Sequence, residues 1–139
     1  MRLALALLLL VAGCSVQTYP DQDTEETREL RAFGAEAWLN AGVSAPDDYT
    51  LALVPAEELA ELCDGECRGC SYSEARAILL DDSLSPEDLH IGIVHELGHL
   101  VSGKGHLQCD RHGRGPDTMC PQAASAKPTA RDIGFVRGR

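Results

Sequence analysis

The most informative stretch of this chain is residues 93–106, with the sequence IVHELGHLVSGKGH. His95 and His99 are four residues apart, so on a helix both imidazoles project from one face, about one turn apart. Two neutral imidazoles at this spacing form half of a zinc site, and Glu96 between them can act as a general base toward a metal-activated water. The pattern predicts a zinc-binding helix. The alternative is that these histidines only pack or lie in solvent.

The residues around this stretch indicate where the helix begins and ends. Ser85 is a suitable N-cap, Pro86 suits the first helical position, and two acidic residues follow in the first turn. The helix is predicted to run to about Ser102. Gly103 and Gly105 then allow the chain to leave in a new direction.

Two histidines do not complete a metal site, because a catalytic zinc ion usually has three protein ligands and one open position. His106 lies seven residues after His99, beyond the two glycines, and is the preferred third ligand. Asp110 and His112 are also within reach and are chemically acceptable. The third ligand therefore stays open among these residues.

The first residues of the chain have the pattern of an export signal. Residues 1–13 contain one Arg, a Leu- and Ala-rich run and small residues before Cys14. This segment is too short to span a bilayer, which takes roughly 20 residues, and it is typical of a signal peptide. Its end resembles a bacterial lipobox, which implies a lipid on Cys14; the alternative is an ordinary signal peptide with a plain thiol. We expect an exported lipoprotein of the cell or outer membrane, facing the periplasm or exterior, with a tether at 14–22 and one domain at 23–139.

The charge of the chain limits its partners. The net charge is −10, and between Asp21 and Gly103 there are 19 acidic and 4 basic residues. This balance disfavours nucleic acid as a partner and favours a divalent cation near the helix, although acidity can equally serve solubility. The remaining length suits one small core, and a monomer is expected.

Two helices and two strands, joined by short turns, are predicted before residue 85. Together with the zinc-binding helix they indicate an α+β domain. Thr24 is a suitable N-cap for the first helix, and Trp38 falls on its core face. The predicted bounds are a helix to about Ala41, a strand at 49–54, a helix at 55–62 and a strand at 75–80.

The motif His95-Glu96-Leu97-Gly98-His99, followed by Gly103 and His106, resembles the zinc signature of the metzincin metallopeptidases, with a matrixin-like character. The glycine and the third histidine each come one residue later than in the family pattern, as a one-residue insertion at the helix end would produce. Residues 117–121, DTMCP, resemble the Met-turn that passes beneath the metal. Met119 would be its methionine; the alternative is a single buried Met in a loop. Residues 128–135 resemble the closing helix of small matrixin-type domains.

This resemblance implies a small zincin domain in which a short mixed sheet packs on the active-site helix and an N-terminal helix. His95, His99 and His106 would bind Zn2+, and Glu96 would be the general base. A protein or peptide substrate would lie along strand 75–80 through backbone hydrogen bonds.

The implied function is a zinc-dependent metalloendopeptidase acting outside the cytoplasm. The alternatives are a metal-binding lipoprotein module without proteolytic activity and a zinc amidase acting on cell-wall peptides. Glu96 favours an enzyme, because a module that only holds metal needs no general base.

Five cysteines remain besides Cys14, and export favours disulfides. An odd number allows at most two bridges and leaves one thiol unpaired. We expect a bridge between Cys109 and Cys120, and one pair within or from the cluster Cys63, Cys67 and Cys70. A bridge from this cluster to the Met-turn region would also fit. A second zinc ion held by thiolates is an alternative that an oxidising compartment disfavours.

Overall fold

The computed structural model describes residues 20–63 and 67–138. The predicted signal peptide, Cys14 and the first part of the predicted tether lie outside the described residues. The elements are α1 (Glu25–Asn40), β1 (Thr50–Val54), α2 (Ala56–Cys63), β2 (Gly69–Tyr72), β3 (Ala77–Asp81), α3 (Pro86–Ser102), β4 (Arg114–Gly115), β5 (Gln122–Ala123) and α4 (Ala130–Arg137). Within the described ranges, no helix is both long and apolar enough to cross a membrane.

The main sheet has three strands in the order β1-β3-β2. Strand β3 runs parallel to β1, with Ala77 opposite Thr50, and antiparallel to β2, with Leu80 opposite Gly69. All five residues of β3 are buried, as expected for a central strand covered on both faces. Together with four helices and a small second sheet, this mixed sheet confirms the predicted α+β class.

The outer edge of β1 is covered by the chain that precedes α1. The backbone N–H of Gln22 donates to the carbonyl oxygen of Leu51 at 3.0 Å. The Gln22 side-chain oxygen accepts from the Leu53 N–H at 2.8 Å, and the Asp21 carboxylate accepts from the Leu51 N–H at 2.9 Å. Residues 21–22 therefore run along the sheet, and β2 is the outer strand on its opposite side.

The core lies between the sheet, α1 and α3. Trp38 is fully buried, and its indole N–H donates to the carbonyl oxygen of Val94 at 2.9 Å. This contact confirms the prediction that Trp38 is a core residue, and it fixes α1 against the middle of α3. Thr24 caps α1 as predicted, accepting from the Thr27 N–H at 3.1 Å.

Helix α3 has the predicted bounds because its end signals form the expected contacts. The Ser85 hydroxyl accepts from the Asp88 N–H at 3.1 Å, and Pro86 occupies the first turn, where its missing N–H is not needed. At the other end Gly103 has φ = 64°, a left-handed conformation that favours glycine.

The strand predicted at 75–80 exists as β3, but its predicted role beside a substrate is wrong. It is the central strand, hydrogen-bonded to β1 on one side and to β2 on the other, so neither edge can pair with a peptide. Strands β2, β4 and β5 were not predicted. The expected closing helix is present as α4, whose N-cap Thr129 accepts from the Asp132 N–H.

Candidate metal centre

Three imidazoles meet at the C-terminal end of α3. His95 and His99 project from the same face of the helix, and His106 returns to them after the turn at Gly103. The Nε2 atoms of His95 and His99 are 3.0 Å apart, and the Nε2 atom of His106 lies 3.1 Å from the first and 3.3 Å from the second. All three Nε2 atoms therefore point at one common position.

Backbone carbonyl groups orient two of these rings. The Nδ1 atom of His95 lies 2.6 Å from the carbonyl oxygen of Thr118, and that of His99 lies 2.7 Å from the carbonyl oxygen of Lys104. A carbonyl oxygen can only accept a hydrogen bond, so each Nδ1 carries the proton. Each Nε2 is then left with a free lone pair toward the common position, which is the tautomer that a metal ligand requires.

The spacing of the three Nε2 atoms suits a single ion. Imidazole nitrogens bind first-row divalent ions such as zinc at about 2.0–2.1 Å, so two such nitrogens in a tetrahedral arrangement lie about 3.3 Å apart. The observed separations of 3.0–3.3 Å fit this requirement. His95, His99 and His106 could therefore hold one metal ion together.

The surroundings of the three histidines favour the neutral form of their rings. Burial lowers the pKa of His95 to about 4, against a smaller opposing effect of its hydrogen bond to Thr118. Burial likewise lowers the pKa of His99 and of His106, and the neighbouring His99 lowers the His106 pKa further. Neutral imidazole is the form that binds metals.

Glu96 lies beside this centre, on the side of β2. Its carboxyl group is buried, and burial raises its pKa to about 7, partly opposed by a hydrogen bond from Ser71. A side chain at Gly69 would begin only 3.1 Å from the Glu96 Oε1 atom, so the glycine leaves the space that the carboxyl group occupies. Strand β2 thus positions Glu96 through the small residue Gly69 and the hydroxyl group of Ser71.

The other two candidate ligands lie elsewhere. The Asp110 carboxylate accepts from the N–H groups of His112 and Arg114, both at 2.8 Å, inside an exposed turn. The His112 Nε2 atom accepts from the Arg111 side chain at 3.0 Å. Neither side chain belongs to the group formed by His95, His99 and His106. The chain therefore brings His106 to the pair on α3, and not Asp110 or His112.

Met119 is fully buried under α3, where Gly98 provides the space for its sulfur. A side chain at Gly98 would collide with the Met119 Sδ atom and lie 2.7 Å from Trp38 Cζ2. The buried carboxylate of Asp132 accepts from the N–H groups of Thr118 and Met119, both at 2.8 Å. This arrangement fixes the segment whose carbonyl group orients His95.

Cysteine sulfurs meet at two places. Cys109 and Cys120 lie at disulfide distance, with their Cα atoms 5.8 Å apart, and they close the loop between His106 and Met119 as predicted. In the other cluster, the Cys63 sulfur lies at disulfide distance from the sulfurs of both Cys67 and Cys70.

An open cleft of about 380 Å³ runs between β2 and the end of α3. Glu96, His99 and His106 line it, together with the cysteine cluster and all of β2. The histidine centre is therefore accessible from solvent.

Sequence patterns did not reveal several groups that build this centre. Ser71 and Gly69 belong to a four-residue strand without alternating hydrophobicity. The carbonyl groups of Thr118 and Lys104 carry no sequence signal at all. Asp132 could have been noticed, since it is the third residue after Thr129 and forms a capping box there.

Comparisons of the chain with models of protein families, with curated proteins and with solved structures find no match.

Proposed function

We propose that this chain is a zinc-dependent metallopeptidase. The observation that carries the proposal is the convergence of three Nε2 atoms within 3.0–3.3 Å of one another, beside the buried carboxyl group of Glu96 in an open cleft. Three histidines with an accessible fourth position are the ligand set of catalytic zinc, whereas structural zinc is usually enclosed by four protein ligands. The resemblance of the motif and of Met119 to the metzincin signature supports the same assignment.

A bound zinc ion would polarise the scissile carbonyl group and make a water molecule more acidic. His95, His99 and His106 would hold the ion through Nε2, and the carbonyl groups of Thr118 and Lys104 would keep two of the rings in place. Glu96 would take the proton of the attacking water on a carboxylate oxygen and pass it to the leaving amine. The reaction needs no nucleophilic side chain.

The position of β2 favours a peptide as the substrate. This strand is at the edge of the sheet, and each of its residues lines the cleft that contains Glu96. An extended peptide could pair with β2 by backbone hydrogen bonds, which are available to most sequences. We therefore propose for β2 the substrate-pairing role that the metzincin resemblance implies for residues 75–80.

The export of the protein is part of the same proposal. Residues 1–13 would be removed and Cys14 would receive a lipid that attaches the domain to a membrane outside the cytoplasm, where it acts as a monomer. Labelling cells with a radioactive fatty acid should mark the chain, and the Cys14→Ser variant should carry no label. Label retained by that variant would contradict lipidation at Cys14.

Cleavage by the full-length chain and its Glu96→Gln variant tests the enzymatic role. We expect the parent to bind zinc and cleave an unfolded protein, with activity lost on chelation and restored by zinc. Glu96→Gln should keep the zinc but cleave about 10²–10⁴-fold more slowly, the usual contribution of a positioned proton acceptor. Glu36→Gln is the matched control, because Glu36 is exposed on α1, away from the cleft.

Each result separates the proposed enzyme from a metal-binding module. A parent chain that binds zinc but cleaves neither proteins nor peptides would support a binding module. A Glu96→Gln variant as active as the parent would remove Glu96 from the mechanism. Absence of zinc binding would remove the metal centre itself.

A further inference from the structure

Three sulfur atoms meet in the lining of the cleft that also contains His99 and His106. The Cys63 sulfur is at disulfide distance from both Cys67 and Cys70, and the Cys67 and Cys70 sulfurs are 3.5 Å apart. A sulfur atom forms only one disulfide, so disulfide chemistry can satisfy two of these residues and leaves the third without a bond. One metal ion bound by all three sulfurs would leave none of them without a bond.

The cysteines are held by regular structure and remain accessible. Cys63 is the last residue of α2, Cys70 lies in β2, and Cys67 comes two residues before β2. The three side chains pack against a small buried cluster that contains Leu59 and Leu79. All three are half-buried and line the cleft, so an ion can reach them from solvent.

The spacing of the cysteines also suits a metal. Cys67 and Cys70 are separated by two residues, the short spacing with which paired cysteines bind one ion in zinc sites. Cys63 adds a third sulfur from helix α2, so that two separate segments of the chain would hold the ion. Thiolate ligands are soft and select zinc and monovalent copper over magnesium or calcium.

We propose that Cys63, Cys67 and Cys70 form a second metal site, a three-thiolate site for Zn2+ or Cu+ that shares the cleft with the histidine triad. Binding replaces three S–H bonds by three bonds from sulfur to the metal and releases three protons to solvent. No oxidant or reductant takes part. The proposal does not rest on the proposed peptidase activity, because its ligands differ from the three histidines and Glu96, although Cys70 lies in the strand β2 that lines the same cleft.

Cobalt provides a direct test, because thiolate-bound Co2+ absorbs strongly in the near ultraviolet through sulfur-to-metal charge transfer and imidazole-bound Co2+ does not. The full-length chain, kept reduced with a phosphine, is titrated with Co2+. We expect the charge-transfer band in the parent and in the His95→Ala/His99→Ala variant. The Cys67→Ser/Cys70→Ser variant, made in a chain that also carries Cys109→Ser/Cys120→Ser so that the other reduced thiol pair is absent, should lose it.

The Cys109→Ser/Cys120→Ser variant is the matched control, since it removes two cysteines elsewhere and should keep the band. A parent chain without the band, or a Cys67→Ser/Cys70→Ser variant in this background that retains it, would overturn the proposal. Titrating the cobalt-loaded chain with Zn2+ and with Cu+ identifies the preferred ion by loss of the band. Displacement by neither would also overturn the proposal.

Alkylation of the parent chain gives a second readout that does not depend on folded variants. Zinc should protect Cys63, Cys67 and Cys70 from iodoacetamide, as measured by peptide mass spectrometry, and chelation should remove this protection. The competing outcome is a disulfide from Cys63 to one neighbour in chain isolated from cells supplied with zinc, without reductant. Such a disulfide would overturn the metal site.

Discussion

His95 and Thr118 are joined by a hydrogen bond in which the imidazole Nδ1 donates to the backbone carbonyl oxygen across 2.6 Å. The carbonyl group is itself part of a segment held by Asp132, which accepts from the N–H groups of Thr118, Met119 and Thr129 at 2.7–2.8 Å. A carboxylate at the beginning of α4 therefore controls the orientation of a ring on α3.

Asp132→Ala should lower both stability and metal affinity. Asp132 is fully buried, so its removal leaves backbone donors without a partner, and an unsatisfied buried donor costs about 1–3 kcal/mol. We expect the free energy of unfolding of the metal-free chain to fall by about 3 kcal/mol or more in urea titrations. Zinc affinity should fall about 10–100-fold, as it does when a group that orients a ligand is lost.

The control for this variant is Asp110→Ala. Asp110 also accepts from two backbone N–H groups, but it is exposed, so water can replace its carboxylate. The loss should stay below about 1 kcal/mol. Equal losses for the two variants would show that burial of Asp132 has no special effect.

His106→Ala should remove the metal, whereas His112→Ala should not. The His106 Nε2 atom lies 3.1 and 3.3 Å from those of His95 and His99, while His112 is paired with Arg111 in the exposed turn. We expect zinc affinity, measured by competition with a chelator, to fall more than about 100-fold in the first variant, beyond the usual effect of losing a group that only orients a ligand. Unchanged affinity in His106→Ala would exclude His106 as the third ligand.

Gly98→Ala should destabilise the fold although alanine is the better helix former. The added methyl group would collide with Met119 Sδ and lie 2.7 Å from Trp38 Cζ2, and both neighbours are fully buried. Overpacking of this kind costs about 1–3 kcal/mol, which exceeds the gain of about 1 kcal/mol in helix propensity. Gly105→Ala is the control, since its methyl group would meet nothing within 4 Å. A Gly98→Ala chain as stable in urea as the control would contradict the packing argument.

Loss of the bridge between Cys109 and Cys120 should lower the melting temperature. The residues are 11 apart in sequence, and closing a loop of this size is worth about 3 kcal/mol in the chain-entropy model. The Cys109→Ser/Cys120→Ser variant should therefore melt at a lower temperature than the oxidised parent. Adding a reductant should lower the parent to a similar value and leave the variant unchanged. A parent insensitive to reductant would indicate that no stabilising bridge forms.

The elements that could be predicted from the sequence are those whose ends are specified by residues close to them in the chain. Helix α3 was placed correctly because Ser85, Pro86 and Gly103 act locally, through an N-cap, a proline in the first turn and a left-handed glycine. The two histidines of α3 follow from the same helix geometry. His106 returns to these two histidines through the turn at Gly103. The sequence spacing is compatible with this return, but it does not exclude Asp110 or His112 as the third ligand.

The parts that sequence missed depend on pairing between distant residues. Strand β2 is defined by its hydrogen bonds to β3, since its residues show neither alternation nor a strong strand preference. The order of strands in the sheet has no local signature, which is why residues 75–80 were assigned to an edge. The groups that orient the histidine rings are backbone carbonyls, which every residue has.

The five cysteines of the described domain respond to redox conditions in two opposite ways. Oxidation links Cys109 to Cys120 and shortens the free length of the loop that carries His106, so imidazole ligation needs less ordering of the chain. Reduction is what the sulfurs of Cys63, Cys67 and Cys70 need in order to act as thiolates. Oxidising surroundings would therefore favour metal binding by the three histidines and disfavour binding by the three cysteines, and reducing surroundings would do the reverse. The metal content of the cleft would then report the redox potential to which the protein is exposed.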